Sequence, residues 1–410
     1  MKIMNTNKTI KLTTLMLATL GVVAMLGPFG TDTYLPALPV ISKDFAVPGA
    51  RAQLTIAAFT IGEAIGQFIL GSLSDRFGRK VIIVGGTALM TIGAALAAIA
   101  PSIEMLIALC LIMGFTVAGG VVGGRAVVAD LTHGEESARP FAILSMLLSI
   151  GPIVGPIGGT VLLALGGWRA IFVGLAIFAG LTTLALYAFI PETLPVNKRH
   201  TGGLRDALVT SKKVLSNRQF VSHAAILWFG FGLMFTYISS SSFIIQDVLG
   251  LTPAVNAASF AINGISLVIA SIFTARFSQG KTVKRLLNLG VLIQVISIGL
   301  LIVIVVAHLY DPWLVLFDLF LIGTAMGFVF GPATSLAMLE VRYAAGTASA
   351  LLGSFQFVAA AIVSTCVGFI TGDALMGLLV VGGTMELLVL ISLYLGNRAE
   401  KQAISLGEMS

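Results

Sequence analysis

Twelve long apolar runs constrain this 410-residue chain more than any other feature. They lie near 12–35, 52–73, 82–100, 103–124, 141–166, 168–190, 220–245, 255–275, 285–307, 313–338, 346–371 and 374–395, separated by charges, prolines and turn residues. Each holds about 20 residues or more, enough to cross roughly 30 Å of hydrocarbon as a helix. The composition leaves no soluble alternative: 57% of residues are hydrophobic and 10% charged, where soluble domains carry about 25% charged residues. With a mean hydropathy of +1.02, the bilayer has to be the solvent. The expectation is an all-α integral membrane protein with twelve transmembrane helices. The basic balance, pI near 9.4, does not point to nucleic acid, because the bases sit in short gaps between runs.

Twelve crossings put both termini on one side, and charge fixes which side that is. With the N-terminus inside, Lys2, Lys8, Lys11, Arg76, Arg79, Lys80, Arg125, Arg139, Lys198, Arg199, Arg205, Lys212, Lys213, Arg218, Arg276, Lys281, Lys284, Arg285, Arg342, Arg398 and Lys401 face the cytoplasm. Only Lys43, Arg51 and Arg169 stay outside, so 21 of 24 bases are cytoplasmic. The first run is too long for a cleaved leader and lacks a small-residue cleavage pattern. The longest polar stretch, Pro191 to Gln219, falls at the midpoint. It divides the chain into a six-helix unit at 1–190, a cytoplasmic linker at 191–219 and a second six-helix unit at 220–410. Two parallel six-helix repeats give this organisation, although the second half carries no sequence copy of the first. Cys110 and Cys366 both lie in apolar runs and read as packing residues.

The gap between the second and third runs contains Gly71, Asp75, Arg76, Gly78, Arg79 and Lys80, one acid and three bases in a tight turn. It resembles the G-x-L-x-D-R-x-G-R-K loop between the second and third helices of the major facilitator superfamily, which implies two bundles rocking about a central cavity. In that family the aspartate gates the cytoplasmic side against the start of span eleven, here near Gly346. In span five, Gly151, Gly155 and Gly159 share one helical face, interleaved with Pro152, Pro156 and Gly158. The run is similar to the G-P-x-x-G-P-x-x-G-G motif of the superfamily's proton-driven exporters. Asp32-Thr33-Tyr34-Leu35-Pro36-Ala37-Leu38-Pro39 resembles the T-D-x-Y-L-P-A-L-P of the bicyclomycin and chloramphenicol exporters, the Bcr/CflA group. Arg125 to Asp130, followed by Gly134-Glu135-Glu136, resembles the end of span four in that group, and Pro191-Glu192-Thr193-Leu194 its P-E-T-L. One departure stands out. Where the group carries an arginine and a glutamine in span four, this chain has Cys110 and Met113. Arg125 lies about fifteen residues further on, roughly 22 Å along a helix, a poor replacement by position.

An antiporter needs a buried carboxylate for which proton and substrate compete. Asp32, in the outer half of span one, is the first choice by resemblance. Glu63 is the choice by depth, twelve residues from both Arg51 and Asp75, with Gln67 one turn on. Asp318 in span ten is a candidate for substrate contact, whereas Glu386 in span twelve reads as structural. Ser239 to Ser242 read as a wet helix end. His133, His200, His223 and His308 have no ligand spacing, so no metal, cofactor or catalytic centre is expected. Protons are the implied coupling ion, and small largely apolar molecules the substrate of a monomer in the cytoplasmic membrane. A metabolite exporter or uniporter of the same fold is the alternative.

Overall fold

The computed structural model describes residues 12–132, 138–195, 199, 204–277, 282–339, 341, 344–370 and 374–405. It gives the backbone alone at 72, at 138–149 except 140, 144 and 147, at 204–207, 345–346 and 399–405. Lys2, Lys8, Lys11, His133, Gly134, Glu135, Glu136, Lys198, His200, Lys281 and Arg342 lie outside the described residues, as do the side chains of Arg139 and Arg205.

Every described element is helical. In chain order they are α1 (Thr14–Asp32), α2 (Leu38–Asp44), α3 (Gly49–Phe77), α4 (Arg79–Ala98), α5 (Ile103–Leu131), α6 (Ala138–Phe189), α7 (Leu204–Leu215), α8 (Arg218–Phe243), α9 (Pro253–Phe277), α10 (Thr282–Val306), α11 (Pro312–Leu339), α12 (Ala345–Phe369) and α13 (Ala374–Ser405). In hydrocarbon each backbone polar group must be satisfied within its own segment, so long helices are the available solution. Thr13, Ser102 and Asn217 cap α1, α5 and α8 by accepting the N–H of Met16 (3.2 Å), Met105 (3.3 Å) and Phe220 (2.9 Å).

Among the described residues eleven helices are long and apolar enough to cross a membrane, with α6 counted once. At 52 residues α6 runs to about 78 Å, more than one crossing can hold. It breaks at Gly166 and Gly167, where Gly167 has φ 70°, a conformation glycine adopts without strain. The break falls where the sequence separates its fifth and sixth apolar runs. The first run also differs from a plain helix. Pro36 and Pro39 lack N–H groups, and α1 stops at Asp32, followed by a tight turn at Leu35–Ala37 and the short α2.

Helices α1, α3, α4, α5 and α6 pack together, as do α8, α9, α10, α11, α12 and α13. The two sets meet chiefly along α3 with α12 and α6 with α9. The outer rim is apolar, with Leu165 78% and Trp313 80% exposed. Lipid, not water, suits such a surface. The stretch 191–219 contains the amphipathic α7, whose Val214 is buried, packed on α8 and α12. Cys366 is exposed rather than packed, while Cys110 is buried.

Candidate functional site

The expected loop at Asp75 is a single residue. Asp75 and Arg76 end α3, Arg79 and Lys80 begin α4, and Gly78 alone makes the turn with φ 106°. A side chain at Gly78 would also strike the Glu192 carboxylate. Arg79 is the hub of this end, with its side chain only 11% exposed. Its guanidinium pairs with Asp75 at 2.5 Å and Asp130 at 3.1 Å, and its backbone N–H donates to Glu192 at 2.9 Å. Thr193 donates to Asp130 at 2.9 Å. Three stretches far apart in sequence therefore share one network. Charge-assisted bonds are the strong ones, and although Asp75 is half-exposed the set binds α3, α4, α5 and the chain after α6 into one unit. Asp75 pairs with Arg79 of its own unit; the expected counterpart near Gly346 falls on side chains outside the described residues. Lys80 donates to the Tyr187 carbonyl at 2.8 Å, and Gly71 packs on Val122.

The buried carboxylates lie deeper. Asp32 is 4% exposed and accepts a hydrogen bond from Thr31 Oγ1 at 2.9 Å, so it is not an interfacial acid. Glu63 is 3% exposed at the centre of α3, fourteen residues from either end (63−49 and 77−63). Its Oε1 lies 3.2 Å from where a Cβ on Gly27 would stand, so the absence of a side chain at Gly27 makes room for it. The Gln67 amide donates toward the same carboxylate, and both Arg125 and Asp32 act on it electrostatically. Reading α5 as a straight rod made Arg125 a poor partner by sequence distance. Packing brings it to Glu63 all the same, because α3 and α5 are in close contact and the acid is on a different helix. Arg125 is accessible where Glu63 is not.

Tyr34 is fully buried beside Cys110 and Thr55. The cysteine at the position of the expected arginine thus meets a neutral hydroxyl, and the basic charge of the site comes from Arg125 instead. From the other helix set, Tyr237 of α8 faces Asp32 electrostatically. Its hydroxyl accepts a bond from Asn263 Nδ2 at 2.9 Å. Sequence reading named Tyr34 only within the Asp32–Pro39 string and missed Tyr237 and Asn263; the signal available was two polar groups, Tyr237 and Asn263, inside apolar runs.

The glycine seam of α6 lies directly behind Asp32. A Cβ at Gly155 would sit 3.4 Å from both Asp32 Cβ and Thr33 Oγ1. Gly151 faces Pro28, and Gly159 lies on the Thr33 carbonyl. Gly158 points to open space, and Pro152 and Pro156 lie within the helix. From the other side of α6, Ile153 packs on Gly264 of α9. One helix therefore touches both the Asp32 segment and the opposite set.

At the end away from Arg79 the two sets are clasped. Ser242 Oγ donates to the Leu35 carbonyl at 2.6 Å, Gln246 to the Pro36 carbonyl at 3.1 Å, and Gln53 to the Ser239 carbonyl at 3.2 Å. Asn256 donates to Ser242 at 2.8 Å. Pro39 has no N–H to give the Leu35 carbonyl, which instead accepts the Leu38 N–H in a tight turn and also the Ser242 hydroxyl. Ser239 to Ser242 are all fully buried, so the wet helix end expected there is dry. Asp318 is not brought to the others. It is fully buried and accepts from Ser297 of α10 at 2.9 Å, inside the second set. Glu386 is 3% exposed in α13. Among the described residues no group of three or more His, Cys, Asp or Glu is arranged to hold a metal ion.

Comparison with known proteins agrees with this architecture. Residues 20–364 match the family described as Major Facilitator Superfamily. An uncharacterised MFS-type transporter, YdgK, of Bacillus subtilis is 33% identical over 85% of this chain and 87% of its own. A bicyclomycin resistance protein homolog of Haemophilus influenzae is 27% identical over 94% and 96%. The crystal structure of a bacterial homolog of the human lysosomal transporter Spinster superposes with a TM-score of 0.75 at 16% identity, covering 95% of this chain and 97% of that one.

Proposed function

The chain belongs to the Major Facilitator Superfamily, a multi-pass membrane transporter rather than an enzyme, and on that premise we propose that it exports small, largely apolar drugs or toxic compounds in exchange for protons. The observation that carries the reading is the packing of the α6 glycine seam on Asp32 and Thr33. A buried carboxylate stands where one helix touches both helix sets, so its charge state and the relative position of the sets are mechanically linked. The resistance protein homolog supports a drug-like substrate. Asp32 is the principal coupling group and Glu63 the second. Asp318, held by Ser297, is a candidate for substrate contact only in a different conformation.

Topology follows from the same reading. Counting α6 as two crossings gives twelve, in units at 1–190 and 220–410 joined by 191–219, with both termini in the cytoplasm. The Arg79 network is then the cytoplasmic face, and the Ser242 clasp closes the outer one. Alternating access requires the clasp to break as the units rock. No cofactor is required, and one chain suffices. A dedicated exporter of anionic metabolites would need surplus positive charge, whereas Arg125 is offset by Glu63.

Everted vesicles from a chloramphenicol-challenged expressing strain test the proposal. Asp32→Asn should abolish uphill accumulation of labelled drug while leaving expression and melting temperature unchanged. Uphill transport in the Asp32→Asn vesicles, lost only in Glu63→Gln, would transfer the role to Glu63. Uphill transport by wild type with the proton gradient collapsed would overturn proton coupling itself.

A further inference from the structure

Gln67 lies one turn beyond Glu63 on α3 and is 6% exposed. Its two ends do different work. The amide N–H side is directed at the Glu63 carboxylate. The amide oxygen rests on α12, with Oε1 only 2.7 Å from the position a Cβ on Gly353 would take. The α3–α12 contact is one of the two main seams between the helix sets. The side chain therefore bridges the buried acid and the surface along which the sets must slide.

We propose that Gln67 is a positioning residue that transmits the charge state of Glu63 to the α3–α12 seam. The inference rests on Glu63 exchanging protons, the second coupling role assigned above. An ionised Glu63 accepts only, so it holds the Gln67 NH2 and leaves Oε1 on Gly353. A protonated Glu63 carries an O–H donor, which the same Oε1 can accept once the amide turns. The terminal torsion of glutamine is broad and roughly twofold, so the amide turns over and its oxygen leaves Gly353. Binding or losing one proton thus exchanges which amide atom occupies the seam, and no charged group has to move.

The charges that act on Glu63 are Arg125 of α5 and Asp32 of α1. The helix α12 carries no titratable acid or base within Ala345–Phe369 except Cys366, which is exposed and well along the helix. The seam itself is thus free of competing charge, and Gln67 is the side chain that links it to the carboxylate.

A probe stands next to the seam. Trp228 Nε1 of α8 donates to the carbonyl of Leu352, the residue before Gly353, at 3.1 Å, and its ring stacks on Phe355 at 4.8 Å. The test uses the purified full chain, without substrate, in a Trp168→Phe/Trp313→Phe background where Trp228 is the only tryptophan. Its emission is titrated from pH 5 to 9. The parent should show one transition, absent in Glu63→Gln. A methyl at Gly353 displaces only the tip of a flexible side chain, so Gly353→Ala should fold and melt like the parent. The methyl presses on the amide tip in either arrangement, since nitrogen then takes the place of oxygen, but it stretches the stronger, charge-assisted bond of the ionised form at greater cost, so the midpoint should rise, by up to about one pH unit, a tenfold bias. Gln67→Leu should move it the same way, and Gly353→Ala should add nothing to Glu63→Gln. A transition that survives in Glu63→Gln removes the proton-exchange reading of Glu63. A transition abolished by Glu63→Gln but unmoved by Gly353→Ala and Gln67→Leu leaves that reading standing and overturns the role of Gln67.

Discussion

The glycines of α6 make a graded prediction, because the structure assigns each a different neighbour. Gly158 has nothing within 4 Å of a new Cβ. Gly→Ala there should register only the intrinsic helix preference, a gain of about 0.8–1 kcal/mol. At Gly155 a Cβ would meet Asp32 Cβ and Thr33 Oγ1 at 3.4 Å, the near limit of ordinary contact, so only part of the same gain should survive. At Gly159 the Cβ would occupy the space of the Thr33 carbonyl oxygen. That atom is backbone and cannot swing aside, so α1 and α6 must separate. Overpacking of this kind costs about 1–3 kcal/mol, which exceeds the helical gain over most of its range. The melting temperatures in detergent should fall in the order Gly158→Ala, Gly155→Ala, Gly159→Ala. Transport should fail in Gly159→Ala and in Gly155→Leu, whose larger side chain pushes directly on Asp32. Equal melting temperatures for the Ala variants at 158 and 159, or full transport by Gly155→Leu, would refute the argument that this seam carries α1.

Arg79→Lys keeps one charge but not the fork that serves Asp75 and Asp130 together; it should cost about 1.5–3 kcal/mol if the Asp130 bond is lost and about 0.3–0.5 kcal/mol for the half-exposed Asp75 pair, read as a lower melting temperature, and an unchanged value would mean the network is incidental. Asp75→Asn and Asp130→Asn should slow turnover unequally, with Asp130 the more severe because it also holds Thr193; equal rates would argue against a hub at Arg79. Ser242→Ala with Gln246→Leu removes two clasp bonds of about 1 kcal/mol each, enough to open that end by roughly tenfold or more. Faster labelling of a cysteine introduced at Ala57, buried one turn beyond Gln53, in a Cys366→Ser background, by an impermeant maleimide should report it, and unchanged labelling would show that apolar packing, not the clasp, keeps this end shut.

The membrane spans were legible because the bilayer acts on the chain locally: each crossing needs its own unbroken apolar length. The helix punctuation followed for the same reason, at Pro36 and Pro39 and at Gly78 and Gly167, since a missing N–H or a positive φ is a property of one residue. The burial of the candidate acids was legible too: Asp32 and Glu63, as acids in apolar runs, announce themselves by their cost in hydrocarbon. What each face looks at was decided only in three dimensions. In a soluble helix such as α7 the polar side marks water and the apolar side marks the core. In the spans, lipid and protein interior are equally apolar, so periodicity carries almost no signal of direction. That is why Asp318 proved to point at Ser297, why the serine run of α8 proved dry, and why Arg125 was set aside although it reaches Glu63. Linear distance measured it along its own helix, while electrostatics acts across the gap to the next one. The convergence of Asp75, Arg79, Asp130 and Glu192 from separate stretches likewise exists only once the helices are packed. The sequence by itself determines where this chain enters and leaves the membrane; the tertiary structure decides which buried groups share a neighbour, because that depends on helix rotation, which hydrocarbon leaves unmarked.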